Sequence, residues 1–184
     1  MRITTILFLF FIQNFAIASS KIEIINNFKF TENIKFTFSQ KINKKIETGD
    51  CVVTYPKKIY CEYKNSWNKI LVSNGKTLAI ISDKNPEPFR YRLEKTPLNL
   101  ILDKDFLIKK IEESENEKEL KNSYAYKFYH ENNSITIFFD KHKFNLMGWT
   151  TTDIYQNKVE TKITNVKTNL NLDDKIFDIK KYTN

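Results

Sequence analysis

At 184 residues, with a net charge of +8, two cysteines and only three glycines, the chain is a basic, aromatic-rich polypeptide of one-domain size. So few glycines leave no Gly-rich phosphate loop, and neither GxSxG nor HExxH occurs. The positive charge is spread over single lysines instead of a basic block, which leaves two readings, a solvated mixed-charge surface or attraction to anionic lipid or an acidic partner; nucleic acid ranks lower, since no known binding motif occurs.

The first residues read as an export signal. Arg2 supplies the positive start, Ile6 to Ile12 the apolar run, and Ala16-Ile17-Ala18 a small-x-small cleavage pattern. Cleavage is expected after Ala18, with 19–184 forming a single domain. No cysteine follows that site to take a lipid, so a soluble exported protein is expected. In an oxidising compartment Cys51 and Cys61 are expected to form a disulfide, with buried free thiols as the alternative. Their spacing excludes a CxxC redox motif, and two histidines are too few to suggest a zinc site, so neither metal nor cofactor is expected.

Apolar residues at 22, 24, 25 and 28 predict an amphipathic helix. Ile34, Phe36 and Phe38 then alternate with Lys35, Thr37 and Ser39, the period-2 pattern of a strand with one buried face. Residues 51–55 and 59–63 flank Pro56 as a hairpin. A three-residue loop at Tyr55 to Lys57 would set Thr54 against Lys58, Val53 against Ile59 and Cys51 against Cys61. Asn74-Gly75, lying between apolar runs, predicts a second hairpin with a two-residue turn and Leu71 opposite Leu78. Both faces of that hairpin are apolar, so it is expected inside a sheet, not at its edge.

Pro86-Glu87-Pro88 predicts a break. Thr96-Pro97 predicts an N-cap followed by proline at the first helical position, opening a short helix whose Leu98, Leu100, Ile101 and Leu102 are apolar nearly all round. Residues 112–121 read as a solvated loop or helix turn. Strands are expected at 124–129, 135–139, 148–154 and 158–166, with a last turn at 173–177. His130 and His142 adjoin polar turns and read as exposed imidazoles. No nucleophile and base are set near one another, so an enzyme is not expected and no catalytic residue is assigned.

Taken in order, several pieces resemble the outer-membrane lipoprotein carrier family, the LolA-like proteins of the Gram-negative periplasm. They are Phe38-Ser39-Gln40, a Gly-led strand ending in Tyr55-Pro56, Leu71-Val72-Ser73-Asn74-Gly75-Lys76-Thr77-Leu78 and Thr96-Pro97-Leu98. The late hairpin Thr152-Asp153-Ile154 to Glu160-Thr161-Lys162-Ile163 and the pair Ile176-Phe177 complete the set. The resemblance implies a mainly β (α+β) fold, an unclosed antiparallel β-barrel with short helices as a lid over an apolar cavity. It implies a periplasmic carrier that takes the acyl chains of lipoproteins from an inner-membrane ATP-binding-cassette exporter to an outer-membrane acceptor, without cofactor and as a monomer. On that reading Phe36, Phe38, Val53, Tyr55, Ile59, Tyr63, Leu71, Leu78 and Ile80 line the cavity, and Leu98, Ile101 and Leu102 form the lid. Members commonly carry an arginine before the hairpin proline to hold the lid; Tyr55 stands there and lacks the guanidinium fork. The runner-up reading is a non-transporting module on the same half-barrel that senses lipoproteins or binds another protein.

Overall fold

The computed structural model describes residues 15–64, 67–115, 117–131, 133–153 and 156–183. The expected export signal lies outside these up to residue 14, and the first helix, α1, runs Phe15–Lys29. Ile154, assigned above to a strand, also lies outside the described residues.

Among the described residues eleven strands form one antiparallel sheet in the order β6-β5-β4-β3-β2-β1-β11-β10-β9-β8-β7. They are β1 Asn33–Ile42, β2 Lys45–Thr54, β3 Lys58–Lys64, β4 Ile70–Asn74, β5 Thr77–Ser82, β6 Asn85–Arg92, β7 Glu117–Glu119, β8 Ser123–His130, β9 Asn133–Asp140, β10 Leu146–Thr152 and β11 Lys158–Thr168. The edges β6 and β7 do not pair with each other, so the barrel stays open. Two further helices lie between the edges in sequence, α2 Leu98–Ile101 and α3 Lys104–Glu112.

Alternation decides which side chains enter the concave face. In β1, Ile34, Phe36 and Phe38 are buried while Lys35 and Ser39 face water. The first hairpin turns as its sequence predicts: Thr54 faces Lys58, Val53 faces Ile59, and Cys51 faces Cys61, to which it is joined by a disulfide. Gly49 on β2 has a steric reason. A Cβ there would lie 2.1 Å from the Glu62 carbonyl oxygen and 2.6 Å from the Phe38 ring.

Half of the concavity is filled by helices. Ile24 and Phe28 of α1, with Leu107, Ile108 and Ile111 of α3, join Tyr126, Ile137 and Phe139 of β8 and β9 in one buried cluster. Phe28 meets Phe139 edge to face at 5.8 Å, and Phe106 meets Phe128 likewise at 5.8 Å. Lys104 Nζ caps the end of α1 by donating to the Lys29 and Thr31 carbonyls, both at 3.0 Å.

Four local expectations are corrected. The second hairpin pairs Leu71 with Ile80 and Ser73 with Leu78, so its tip is Gly75-Lys76. The Asn74 side chain takes the Lys76 and Thr77 amides at 3.1 and 3.0 Å, and Gly75 adopts φ +96°, which moves the tip by one residue. The resulting shift preserves every facing. Pro86 and Pro88 sit within edge strand β6, where a missing N–H is tolerated. Thr96 does not cap α2 with its side chain; its hydroxyl donates instead to the Leu93 carbonyl at 2.8 Å. Residues 112–121 hold the end of α3 and the short strand β7, and α3 itself had no sequence prediction.

The far face of the second hairpin is also covered. Val72 and Ala79 are fully buried against Ile179, which lies in a 3-10 turn spanning Ile179–Tyr182, and Tyr182 stacks on Tyr60 at 5.2 Å. The preceding turn, Asp174–Phe177, is tied down by an ion pair from Lys58 to Asp174 at 2.8 Å. This explains why a hairpin apolar on both sides lies inside the sheet.

Candidate functional site

Hydrogen-bond register aligns the concave side chains in rows across the strands. One row runs Phe36, Cys51, Cys61, Leu71, Ile80 and Phe89, so the disulfide lies in the middle of an apolar floor. A second sets Phe38 beside Gly49 and Tyr63, where the two rings meet at 5.0 Å over the space the glycine leaves open. A third runs Glu47, Gln40, Thr161 and Trp149. Together they bound a cavity of about 290 Å³ between the sheet and α2.

Seven residues expected on the wall are there: Phe36, Phe38, Ile59, Tyr63, Leu71, Leu78 and Ile80. Leu98 and Ile101 roof the cavity from α2, with Thr96 and Pro97 beside them. Val53, Tyr55 and Leu102 do not line it. Val53 and Tyr55 belong to the concave face nearer the hairpin tip, in the buried cluster that α1 joins; the Tyr55 ring meets Phe28 edge to face at 5.5 Å. Burial pushes the Tyr55 phenol above its ordinary range. Leu102 is 1% exposed and anchors the end of α2, its carbonyl accepting the Lys57 amide at 3.0 Å.

The same hairpin holds α2 by a second contact. Lys57 Nζ lies 3.2 Å from the Asp103 carboxylate, whose other oxygen caps α3 by accepting the Phe106 amide at 3.1 Å. A lysine two positions after Tyr55 thus makes a charged contact to the junction of α2 and α3, whereas the resemblance implies a lid-holding arginine at position 55.

One end of the cavity is polar, a feature with no counterpart among the expected wall residues. Glu47 is 8% exposed, and its two oxygens accept from Lys45 and Lys69, both at 2.8 Å. Lys69 lies over the Tyr63 ring, 3.7 Å from its centre. Burial pushes the Glu47 carboxyl up, but bonds from the two lysines outweigh it and hold the group below the usual carboxylate range. Burial also draws the Lys69 ammonium down, and Glu47 opposes that. Gln40 donates to the Thr161 hydroxyl at 3.1 Å nearby, and Thr151 and Thr152 continue the polar wall. Strand parity carried the signal, since Glu47 shares a face with Cys51, and Lys69 with Leu71.

Chemically the site can enclose an apolar chain and bond a polar head. Among the described residues no group of three His, Cys, Asp or Glu side chains could hold a metal ion, and no helix is long and apolar enough to cross a membrane.

The sequence matches the family model described as outer membrane lipoprotein carrier protein LolA over residues 24–180. No curated protein matches this chain significantly. Among solved structures the fold is similar to an uncharacterised conserved protein from Thermus thermophilus, with TM-score 0.52, 10% identity and coverage of 87% of this chain and 91% of that one. It is also similar to a domain described as a putative outer membrane lipoprotein-sorting protein from Vibrio parahaemolyticus, with TM-score 0.50, 7% identity and coverage of 91% and 100%. A LolA superfamily protein from Nitrosomonas europaea gives TM-score 0.46, 8% identity and coverage of 89% and 98%.

Proposed function

The chain belongs to the LolA family of outer membrane lipoprotein carrier proteins, and from that premise we propose that it shields the acyl chains of lipoproteins in its cavity while they cross the periplasm. The observation that carries this reading is the apolar cavity under α2, roofed by a single helical turn. Each methylene exposed to water costs about 0.8 kcal/mol, so one long acyl chain costs on the order of 12 kcal/mol. A carrier has to offset that cost and still let go. Pliable apolar walls and a displaceable roof meet both demands better than a tight, specific pocket.

In this reading the protein is exported by cleavage after Ala18. It then receives cargo from an inner-membrane ATP-binding-cassette exporter and passes it to an outer-membrane acceptor, using no nucleotide or cofactor and acting as a monomer. The wall residues bind the chain, and Leu98 and Ile101 move with α2 to admit it.

The test is incubation of purified protein with lipoprotein-loaded spheroplasts that carry an active, compatible exporter. Lipoprotein recovered in the soluble fraction, in a one-to-one complex, is the expected result. Its absence would overturn transport and favour a non-transporting lipoprotein-sensing or protein-binding module on the same half-barrel.

A further inference from the structure

We infer that the polar end of the cavity is a head-group site, in which Lys69 bonds the acyl oxygens of an amphiphile whose chain lies along the apolar wall. This rests on the acyl-binding reading above and extends it from the chain to its head.

The argument begins with cost. Taking an ion pair out of water carries a desolvation penalty of several kcal/mol per ion, and well-packed apolar residues often serve stability as well or better. The Glu47–Lys69 pair is therefore poorly explained as a device for stability alone, and it sits on the wall of a cavity otherwise lined by Phe36, Leu71 and their neighbours. Charge supplies the second step. Two ammoniums, Lys45 and Lys69, meet one carboxylate, so the cluster carries one surplus positive charge; Lys69 and Glu47 line the cavity, while Lys45 approaches from the solvent side with its side chain 72% exposed. An oxygen bearing full or partial negative charge complements it; an ammonium head does not.

Donor count supplies the third step. An ammonium has three N–H donors, and the Glu47 oxygen accepts one from Lys69. The Tyr63 ring packs 3.7 Å from the ammonium and limits its movement on the cavity wall, leaving donors for a ligand. Two sources share the fitting chemistry: the carboxylate of a free fatty acid, and the ester and amide carbonyls at the acylated end of a lipoprotein.

Three probes distinguish them: hexadecanoate, hexadecanol and a synthetic peptide bearing a diacylglyceryl cysteine. Binding is read from tryptophan fluorescence, since Trp149 lines the cavity. Lys69→Met keeps the aliphatic stem and removes the charge; it should weaken hexadecanoate by about tenfold, a 1.4 kcal/mol change, while hexadecanol stays within about twofold. Lys69→Arg should restore most of the affinity. Glu47→Gln should strengthen hexadecanoate several-fold by freeing Lys69, an opposite sign that a purely structural role for the pair would not produce. A loss confined to hexadecanoate assigns the site to free fatty acids, and a parallel loss for the diacyl peptide assigns it to lipoprotein carbonyls. Equal loss for all three probes, or no loss for any, overturns the head-group site. Failure of the unaltered protein to bind any probe would instead remove the acyl-binding reading on which it rests.

Discussion

The contact between Lys57 and Asp103 gives the sharpest quantitative test of how the roof is held. Their charged atoms are 3.2 Å apart and the two side chains are 35% and 28% exposed, so solvent screens the pair only in part. Pairs of this kind contribute roughly 0.5 to 1 kcal/mol in double-mutant cycles. Lys57→Met retains the β-carbon at a position with φ +69° and leaves the backbone bond to Leu102 intact. Asp103→Asn keeps an oxygen to cap α3. Neither change disturbs the fold otherwise, so the cycle isolates the ion pair. Urea unfolding of the four proteins should give a coupling energy of about 1 kcal/mol. If cargo enters by displacing α2, either single variant should also bind a hexadecyl probe about two- to fivefold more tightly, because opening no longer breaks the pair. Additivity within about 0.3 kcal/mol, together with unchanged probe affinity, would refute the tether.

Leu98→Glu places a carboxylate at the cavity mouth and should abolish lipoprotein uptake in the spheroplast assay, with the urea midpoint little changed because Leu98 is only half-buried. Ile101→Glu is expected to cost several kcal/mol of stability, since Ile101 is 3% exposed and a charge there has no partner; circular dichroism melts separate the two variants. Removing the disulfide by Cys51→Ser with Cys61→Ser should lower unfolding free energy by about 2 to 3 kcal/mol, measured against the unaltered protein with and without reductant. The folded Glu47 carboxyl titrates below its unfolded value, so its contribution is complete above about pH 4.3 and is lost as pH falls through the folded value. Glu47→Gln should therefore flatten the acid limb of a stability profile, and an unaltered limb would contradict the assignment.

Much of the architecture is legible because strand parity and turn chemistry are local. Phe36 and Phe38 face inward by alternation alone, and the Tyr55 to Lys57 turn sets Cys51 opposite Cys61 by counting. The Asn74-Gly75 turn misleads for a physical reason: an asparagine side chain competes for backbone amides, and here it takes two of them and shifts the tip. Helix α3 is obscured by its charged flank, although Leu107, Ile108 and Ile111 share one buried face and Asp103 caps it. The site is only half readable. Trp149, Thr151, Val159 and Thr161 reach the cavity through the β1–β11 pairing, a contact between distant parts of the chain that no local pattern encodes. Glu47 and Lys69 pass for ordinary surface charges because such residues are seldom buried unless paired, and the pairing emerges only from the register.

The two fillings of the concave face differ in a way that bears on release. Helix α1, of which residues 19–29 remain after the proposed cleavage behind Ala18, and the nine-residue α3 are joined by aromatic contacts to the sheet, by an ion pair from Lys29 to Glu112 at 3.3 Å and by Lys21 donating to the Glu112 carbonyl at 2.8 Å. Helix α2 has four residues, too few to persist without tertiary support. What keeps it in place is its apolar underside, the Lys57 amide and the Lys57–Asp103 pair. A cavity of about 290 Å³ lies at the small end of the roughly 300 to 1,000 Å³ typical for ligand sites, so a long chain needs more room than the closed form provides. That room is available on the α2 side at the least cost, because the floor opposite is cross-linked by Cys51–Cys61 in the row from Phe36 to Ile80. A stiff floor with a weakly held roof confines the movement to one turn of helix, and the free energy of holding cargo is then set by how little it takes to lift that turn.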